Sequence, residues 1–360
     1  MVSLFGKDYS RAQLLERVGD MSQLGGITPV ELADGAERGV RALLFRTGSG
    51  FNFTVLVDRG MDIYTAELAG APLNWKSPTG AVNRFWYEAE GSGWQRGFFG
   101  GLVVTCGFNN VGNANVDAGQ ALGLHGVASY LPAHRLCLET AWEGEEYVLR
   151  ARGTMRQARA IGENLVWTRT ITAKLGESRL EIADVVENQS YTPSTLQFLY
   201  HCNPGFPVLD EGCRLLLPKS EVTPRDDWAA QALASYPHYG PPQAGWQPQV
   251  FRHDLQADPE GRAAAALVNP SFAGGRGLGL CFRWSTRELP YLWQWKMTGQ
   301  GSYVTGIEPA NCSVLGRAYD REHGLLQTLG PWEARTFHLA VEALDSQAAI
   351  AAVEREIHGL

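Results

Sequence analysis

The stretch 51–60, FNFTVLVDRG, sets Phe51, Phe53, Val55 and Val57 against Asn52, Thr54 and Asp58. Side chains along a β-strand point alternately to opposite faces. The segment therefore shows one apolar and one polar face, and it stops at the Arg59-Gly60 turn. A helix would need apolar residues three or four apart. The period of two returns at 147–154, 164–174, 178–187, 278–284, 289–297, 302–308 and 335–343. Turns separate these runs at Ala69-Gly70, Glu143-Gly144, Gly176-Glu177 and Gly299-Gln300-Gly301. Many short strands with such punctuation predict an all-β sandwich or barrel. Helical spacing is confined to the ends, at 8–18 (Leu14, Leu15, Val18) and 345–357.

No long linker or internal repeat divides the chain, so one domain over 1–360 is expected. The main break in pattern is 222–262, rich in proline and without a clean period. It reads as an irregular excursion that acts as a lid or a subunit contact. The glycine pairs in FFGGL and AGGRGLGL do not stand between a strand and a helix, which argues against a phosphate-cradling loop.

The 360 residues are 44% hydrophobic and carry a net charge of -7, with no basic stripe. That balance argues against nucleic acid and against a surface that needs anionic lipid. No apolar run approaches the roughly 20 residues of a membrane helix, and no signal peptide is visible. A cytoplasmic protein is expected, with a homodimer left open. Six cysteines (Cys106, Cys137, Cys202, Cys213, Cys281, Cys312) form no C-x-x-C pair, so free thiols are expected rather than disulfides or a zinc ribbon. Eleven tryptophans suggest an aromatic surface suited to the C–H faces of sugars, while most of them fill the core.

Three residues have settings that suit acid–base chemistry. His125 lies in GLHGV, His201 closes the apolar run LQFLYH, and Glu308 follows the alternating stretch YVTGI and precedes Pro309. Two imidazoles and a carboxylate brought to one cleft supply a general acid and a general base. Each alone reads more readily as structural: a core histidine, a turn-packing histidine, or an exposed glutamate or one paired with Lys296 or Arg317. On YLWQWKM, Trp293 and Trp295 share one face and Gln294 and Lys296 the other, so either Trp295 or Lys296 lines the cleft. Asn109 and Asn110 read as hydroxyl ligands or as a plain turn, and Asp58-Arg59 as an ion pair or a substrate contact.

Five segments in order carry a family resemblance: VLVDRGMDIYTAELAGAPLNW (55–75), RGFFGGLVVTCGFNNVG (96–112), LGLHGVAS (122–129), FLYHCNPGFPVLDEG (198–212) and LPYLWQWKMTGQGSYVTGIEPAN (289–311). Together they resemble the galactose mutarotase (aldose 1-epimerase) superfamily, in its divergent epimerase-like branch. The resemblance implies a β-supersandwich with an open sugar cleft on a concave sheet, and a monosaccharide or sugar derivative as partner. It also implies roles. Glu308 matches the base at the anomeric hydroxyl, His201 the acid at the ring oxygen, and His125 a second histidine holding that oxygen. No metal or cofactor is implied. The substrate-clamping arginine has three competitors, Arg59, Arg84 and Arg96, of which Arg96 is preferred for its place before GFFGGL. Asp210 matches the sugar-binding aspartate loosely. Two alternatives stay open: a divalent metal held by the same three residues for isomerisation through an enediolate, and a sugar-binding protein without catalysis.

Overall fold

The alternation at 51–58 becomes strand β1 (Phe51–Leu56), which turns back through Met61 into β2 (Asp62–Leu68). The other strands that build the site are β3 (Val103–Phe108), β4 (Asn164–Lys174), β5 (Arg179–Asn188), β6 (Ser194–Cys202), β7 (Ser220–Pro224), β8 (Gln249–Leu255), β9 (Tyr291–Gly299) and β10 (Ser302–Ala310). The computed structural model describes all 360 residues.

Two antiparallel sheets face each other as a β-sandwich. The larger runs β7-β8-β9-β10-β6-β3-β2-β1, then Arg41–Arg46 and Gly26–Glu31. The smaller has eight strands, with β4 and β5 third and fourth in order. β5 buries Leu180, Ile182 and Val186 and leaves Glu181 and Val185 exposed, the pattern of a sheet with one wet face. β3 is buried at every position because loops cover its second face, so its sequence shows no period. The same is nearly true of β6.

The main core lies between the sheets and includes Phe45, Phe53, Trp167, Phe198, Phe282 and Phe337. A second cluster, with Val104, Leu199, Phe99 and Trp293, packs loops onto the outer face of the large sheet and forms the floor of the site. The C-terminal helix Gln347–His358 buries Ile350, Val353 and Ile357 against the outer face of the small sheet. The helix expected at 8–18 is only Arg11–Leu15, because Lys7–Tyr9 pairs as a strand and Leu14 alone is buried.

The segment 222–262 is more ordered than its composition suggests. It holds the end of β7, the helical turn Asp227–Ala230 and all of β8. β8 is buried on both faces for most of its length, which removes the alternation a sequence reading needs. Pro224 is tolerated because β7 is an edge strand. Glu308 likewise lies inside its strand rather than at its end, since β10 continues through Pro309 to Ala310.

Candidate active site

In the large sheet β6 and β10 are neighbours, with Leu199 facing Ala310 and Cys202 facing Ile307. That register sets His201 across from Glu308. Tyr200 and Cys202 point into the core between the sheets. His201 and Glu308 point the other way, into an open cleft that His125 also lines. The three acid–base candidates thus meet.

His201 Nε2 lies 3.2 Å from Glu308 Oε1, without the alignment of a hydrogen bond. His201 Nδ1, Glu308 Oε1 and Asn203 Oδ1 have no partner in the protein although all are buried. Unmatched buried polar atoms are uncommon, and two of these belong to residues that line the cleft, His201 and Glu308, where a ligand can supply the missing bonds. Gly306 makes room for this arrangement. A methyl group there would overlap Glu308 Oε1 and crowd Trp295 Cβ at 3.0 Å.

His125 sits in a turn with φ of 55°, a left-handed conformation that costs energy in any residue with a Cβ. The backbone of Gly112 holds it there. His125 N–H donates to the Gly112 carbonyl at 3.0 Å, and Gly112 N–H donates to His125 Nδ1 at 3.3 Å. Because Nδ1 accepts, the neutral ring carries its proton on Nε2. Its centroid is 5.7 Å from that of His201.

Aromatic rings collar these groups. Trp94 stacks on Phe98 at 4.7 Å, Phe98 lies 5.3 Å from His201, and Trp295 meets His201 edge-on at 5.5 Å. This dry setting decides protonation. Burial pulls His201 down to about 4, with the Asn203 side chain opposing. Burial and then the neighbouring His201 pull His125 down to about 3. Burial pushes Glu308 up to about 8, with Arg225 opposing. With the protein's own groups alone, neutral pH leaves a protonated carboxyl beside two neutral imidazoles.

Of the expected binding residues, Trp295 lines the cleft and Lys296 does not. Lys296 sits on the opposite face of β9, where its Nζ donates to the carbonyls of Ser235 and His238. Arg59 is fully buried behind the cleft wall. It donates to the carbonyls of Ser129, Val82 and Gly97 and lies 4.0 Å under the Tyr130 ring. It is no substrate clamp. It ties down the turn Gly93–Gly97, which presents Trp94 and Gln95 to the cleft. Asp58 pairs with Arg41 instead of Arg59.

Arg96 points to solvent and pairs with Glu88 at 3.1 Å. Its neighbours Gln95 and Phe98 line the cleft and Arg96 does not, since the turn presents only one side inward. Arg84 is also exposed, lying over Phe85. Asn109 lines a separate polar depression with Gln120 and Arg317. Asn110 is spent on the carbonyls of Asn113 and Gly123. Asp210 accepts from the Glu211 N–H in a turn and does not reach the cleft. Arg317 is bound to Asp117.

Sequence reasoning missed Arg225, the one cation lining the cleft, along with Trp75, Trp94 and Asn113. Arg225 falls within the unpatterned 222–262 segment, where nothing local distinguishes it. No three His, Cys, Asp or Glu side chains are arranged as a metal-ligand set. All six cysteines are free, and all but Cys137 are buried. No helix is long and apolar enough to cross a membrane.

Residues 37–343 match the family described as a domain of unknown function, DUF4432. No curated protein matches the chain. Among solved structures, a candidate aldose 1-epimerase from Klebsiella pneumoniae is 30% identical, with a TM-score of 0.87 over 92% of this chain and 86% of its own. A galactose 1-epimerase from Lactobacillus acidophilus is 14% identical over 90% of this chain and 100% of its own, with a TM-score of 0.58. A galactose mutarotase-like protein from Clostridium acetobutylicum is 13% identical over 90% of this chain and 99% of its own, with a TM-score of 0.59. These last two share the fold. The chain belongs to the DUF4432 family, a divergent branch of the galactose mutarotase-like, aldose 1-epimerase superfamily.

Proposed function

We propose that this protein binds the ring form of an aldose or sugar derivative and interconverts its anomers by acid–base ring opening. The observation that carries the reading is the His201–Glu308 pair, set face to face across β6 and β10 with unmatched atoms in an aromatic cleft. Trp75 and Trp295 offer ring faces for sugar C–H groups, and Asn113 and Ser302 offer hydroxyl partners.

Ring opening removes a proton from the anomeric hydroxyl and delivers one to the ring oxygen while the C1–O5 bond breaks. Glu308 is the base, His201 the acid, and the His125 Nε2–H donates to the oxygen that gains charge. Hydroxyl donors on the carboxylate favour its charged form, so substrate moves the proton from Glu308 to His201 and arms both. Rotation about C1–C2 and closure on the other face returns both protons and gives the opposite anomer. A chain of acid–base steps like this uses no cofactor.

NMR exchange spectroscopy on a panel of aldoses, deoxy sugars and uronic acids tests the reading. Wild type accelerates anomer exchange of at least one member. Glu308→Gln and His201→Asn each lower that acceleration by about 10²–10⁴-fold, and a chelator leaves it unchanged. Binding without acceleration would reduce the protein to a sugar-binding module. Activity lost to a chelator would favour metal-dependent isomerisation.

A further inference from the structure

The cleft has a neighbour. A second, smaller cavity opens beside it, and Arg225 lines both. The two are successive positions on one face of the large sheet. Along β8, Val250 lines the cleft and Arg252 the second cavity. Along β9, Trp295 lines the cleft and Trp293 the cavity. Two residues of strand advance roughly 7 Å, comparable to the reach from an anomeric carbon to a substituent on the far side of its ring.

Two guanidinium groups face this cavity and no carboxylate lines it. Asp226 accepts from Nε and Nη2 of Arg225, and Asp254 accepts from Nε and Nη2 of Arg252. Each acid occupies one edge of its fork and fixes its orientation, and each Nη1 is left without a protein acceptor. An arginine has five N–H donors and no other use for them. The four charges cancel, so the cavity offers aimed donors rather than a net positive field. The Trp293 indole N–H is already spent on the Cys312 carbonyl at 3.1 Å, so that residue contributes its ring face.

We propose that this second cavity is a substrate subsite for an anionic substituent, a carboxylate, phosphate or sulfate group, borne by the sugar whose anomeric centre lies between His201 and Glu308. The proposal deepens the carbohydrate reading above and rests on it. Oxygen acceptors of such a group take the free Nη1 donors of Arg225 and Arg252, as guanidinium forks do with carboxylate and phosphate oxygens. Neutral hydroxymethyl groups take them less strongly, so the cavity selects acidic sugars over their neutral parents.

The test is a ligand-observed NMR titration with glucose, galactose, their uronates, their 6-phosphates and inorganic sulfate, with anomer exchange measured in the same samples. Wild type, Arg252→Gln and a control, Arg150→Gln on the other sheet, are compared. At least one acidic sugar binds wild type about tenfold or more tighter than its neutral parent. The preference disappears in Arg252→Gln and survives in Arg150→Gln. Arg225→Gln serves as the second variant should Arg252→Gln not fold. Uronate against 6-phosphate tells which anion is read. No acidic sugar binding tighter than its parent, or a preference that survives in Arg252→Gln, overturns the subsite. Acid preference without accelerated exchange keeps the subsite and removes the epimerase. Accelerated exchange without preference does the reverse.

Discussion

Strand β6 carries two buried polar side chains back to back, Tyr200 facing the interior of the sandwich and His201 facing the cleft. On the Tyr200 side every donor is matched. Arg169 on β4 gives Nε and Nη2 to Asp184 on β5, Nη1 to Asp62 on β2 and the Gly60 carbonyl, and Nη2 to the Thr105 hydroxyl on β3. Trp167 and Tyr200 both donate to Asp184. Burial works against the charge of Arg169, and Asp184 and Asp62 more than offset it. The result ties the two sheets together through their middle. On the other side of the same strand, His201 and Glu308 are 5% and 2% exposed, almost as buried as Arg169, yet they keep unmatched atoms. Burial is shared by both regions, so it is the state of the hydrogen bonds that separates a structural clamp from a candidate site.

Breaking the clamp should give the largest effect on stability. Arg169→Met leaves Asp62 and Asp184 buried without their counter-charge, which typically costs about 3–5 kcal/mol. Urea denaturation should find this loss, together with weaker coupling between the sheets. A loss below about 1 kcal/mol would mean that the two carboxylates protonate or rewire without the guanidinium.

Glu308→Gln should move stability the other way. The folded-state value for Glu308, about 8, lies above its ordinary 4.5. Its contribution is therefore present below pH 4.5 and is lost as pH rises through 8, where a carboxylate must be buried. The amide does not titrate, so the variant gains on wild type across that window, by about 5 kcal/mol at pH 9. Activity and stability then trade places at one residue, a signature that no substitution in the Arg169 clamp can reproduce. Equal denaturation midpoints at pH 5 and pH 9 in both proteins would remove the argument for a raised carboxyl.

His201 gives the opposite pH dependence. Its folded value, about 4, lies below the ordinary 6.5, so the stability it contributes is present above 6.5 and lost as pH falls toward 4. Wild type should lose about 2 kcal/mol between pH 7 and pH 5 from this residue, and His201→Asn should not. Thermal unfolding at the two pH values reads the difference directly.

The same comparison explains what the sequence disclosed. Strands with one wet face, such as β1 and β5, announced themselves by alternation. Strands covered on both faces, β3, β6 and β8, did not, and the acid–base residue His201 lies on β6 and the Arg169 partner Thr105 on β3. His125, His201 and Glu308 stood out instead by their local settings and by resemblance in the GLHGV, FLYHC and GIEPAN segments. The DRGMDI motif illustrates the limit. Its Arg59 reads from sequence as a candidate substrate contact, yet it serves the frame on three carbonyls, as Asp62 does on Arg169. Gly306 was the overlooked local signal, since only its missing Cβ lets the glutamate two residues later lie where it does.

The smallest effect is expected at Arg96, the residue that sequence position alone favoured as the sugar clamp. It differs from Arg59 in the one respect that matters. Arg59 is enclosed and its donors hold backbone carbonyls, whereas Arg96 extends into solvent with Glu88 as its only ionic partner. An exposed pair of this kind contributes about 0–1 kcal/mol and is screened by salt. Arg96→Gln should leave the denaturation midpoint and the affinity for any sugar within about twofold of wild type. Arg59→Met should loosen the turn that carries Trp94 and Gln95, weakening sugar affinity without touching sugar itself. If Arg96→Gln instead weakened binding as much as Arg59→Met, the segment around residues 93–98 would have to turn over when substrate arrives, bringing its outer side into the cleft.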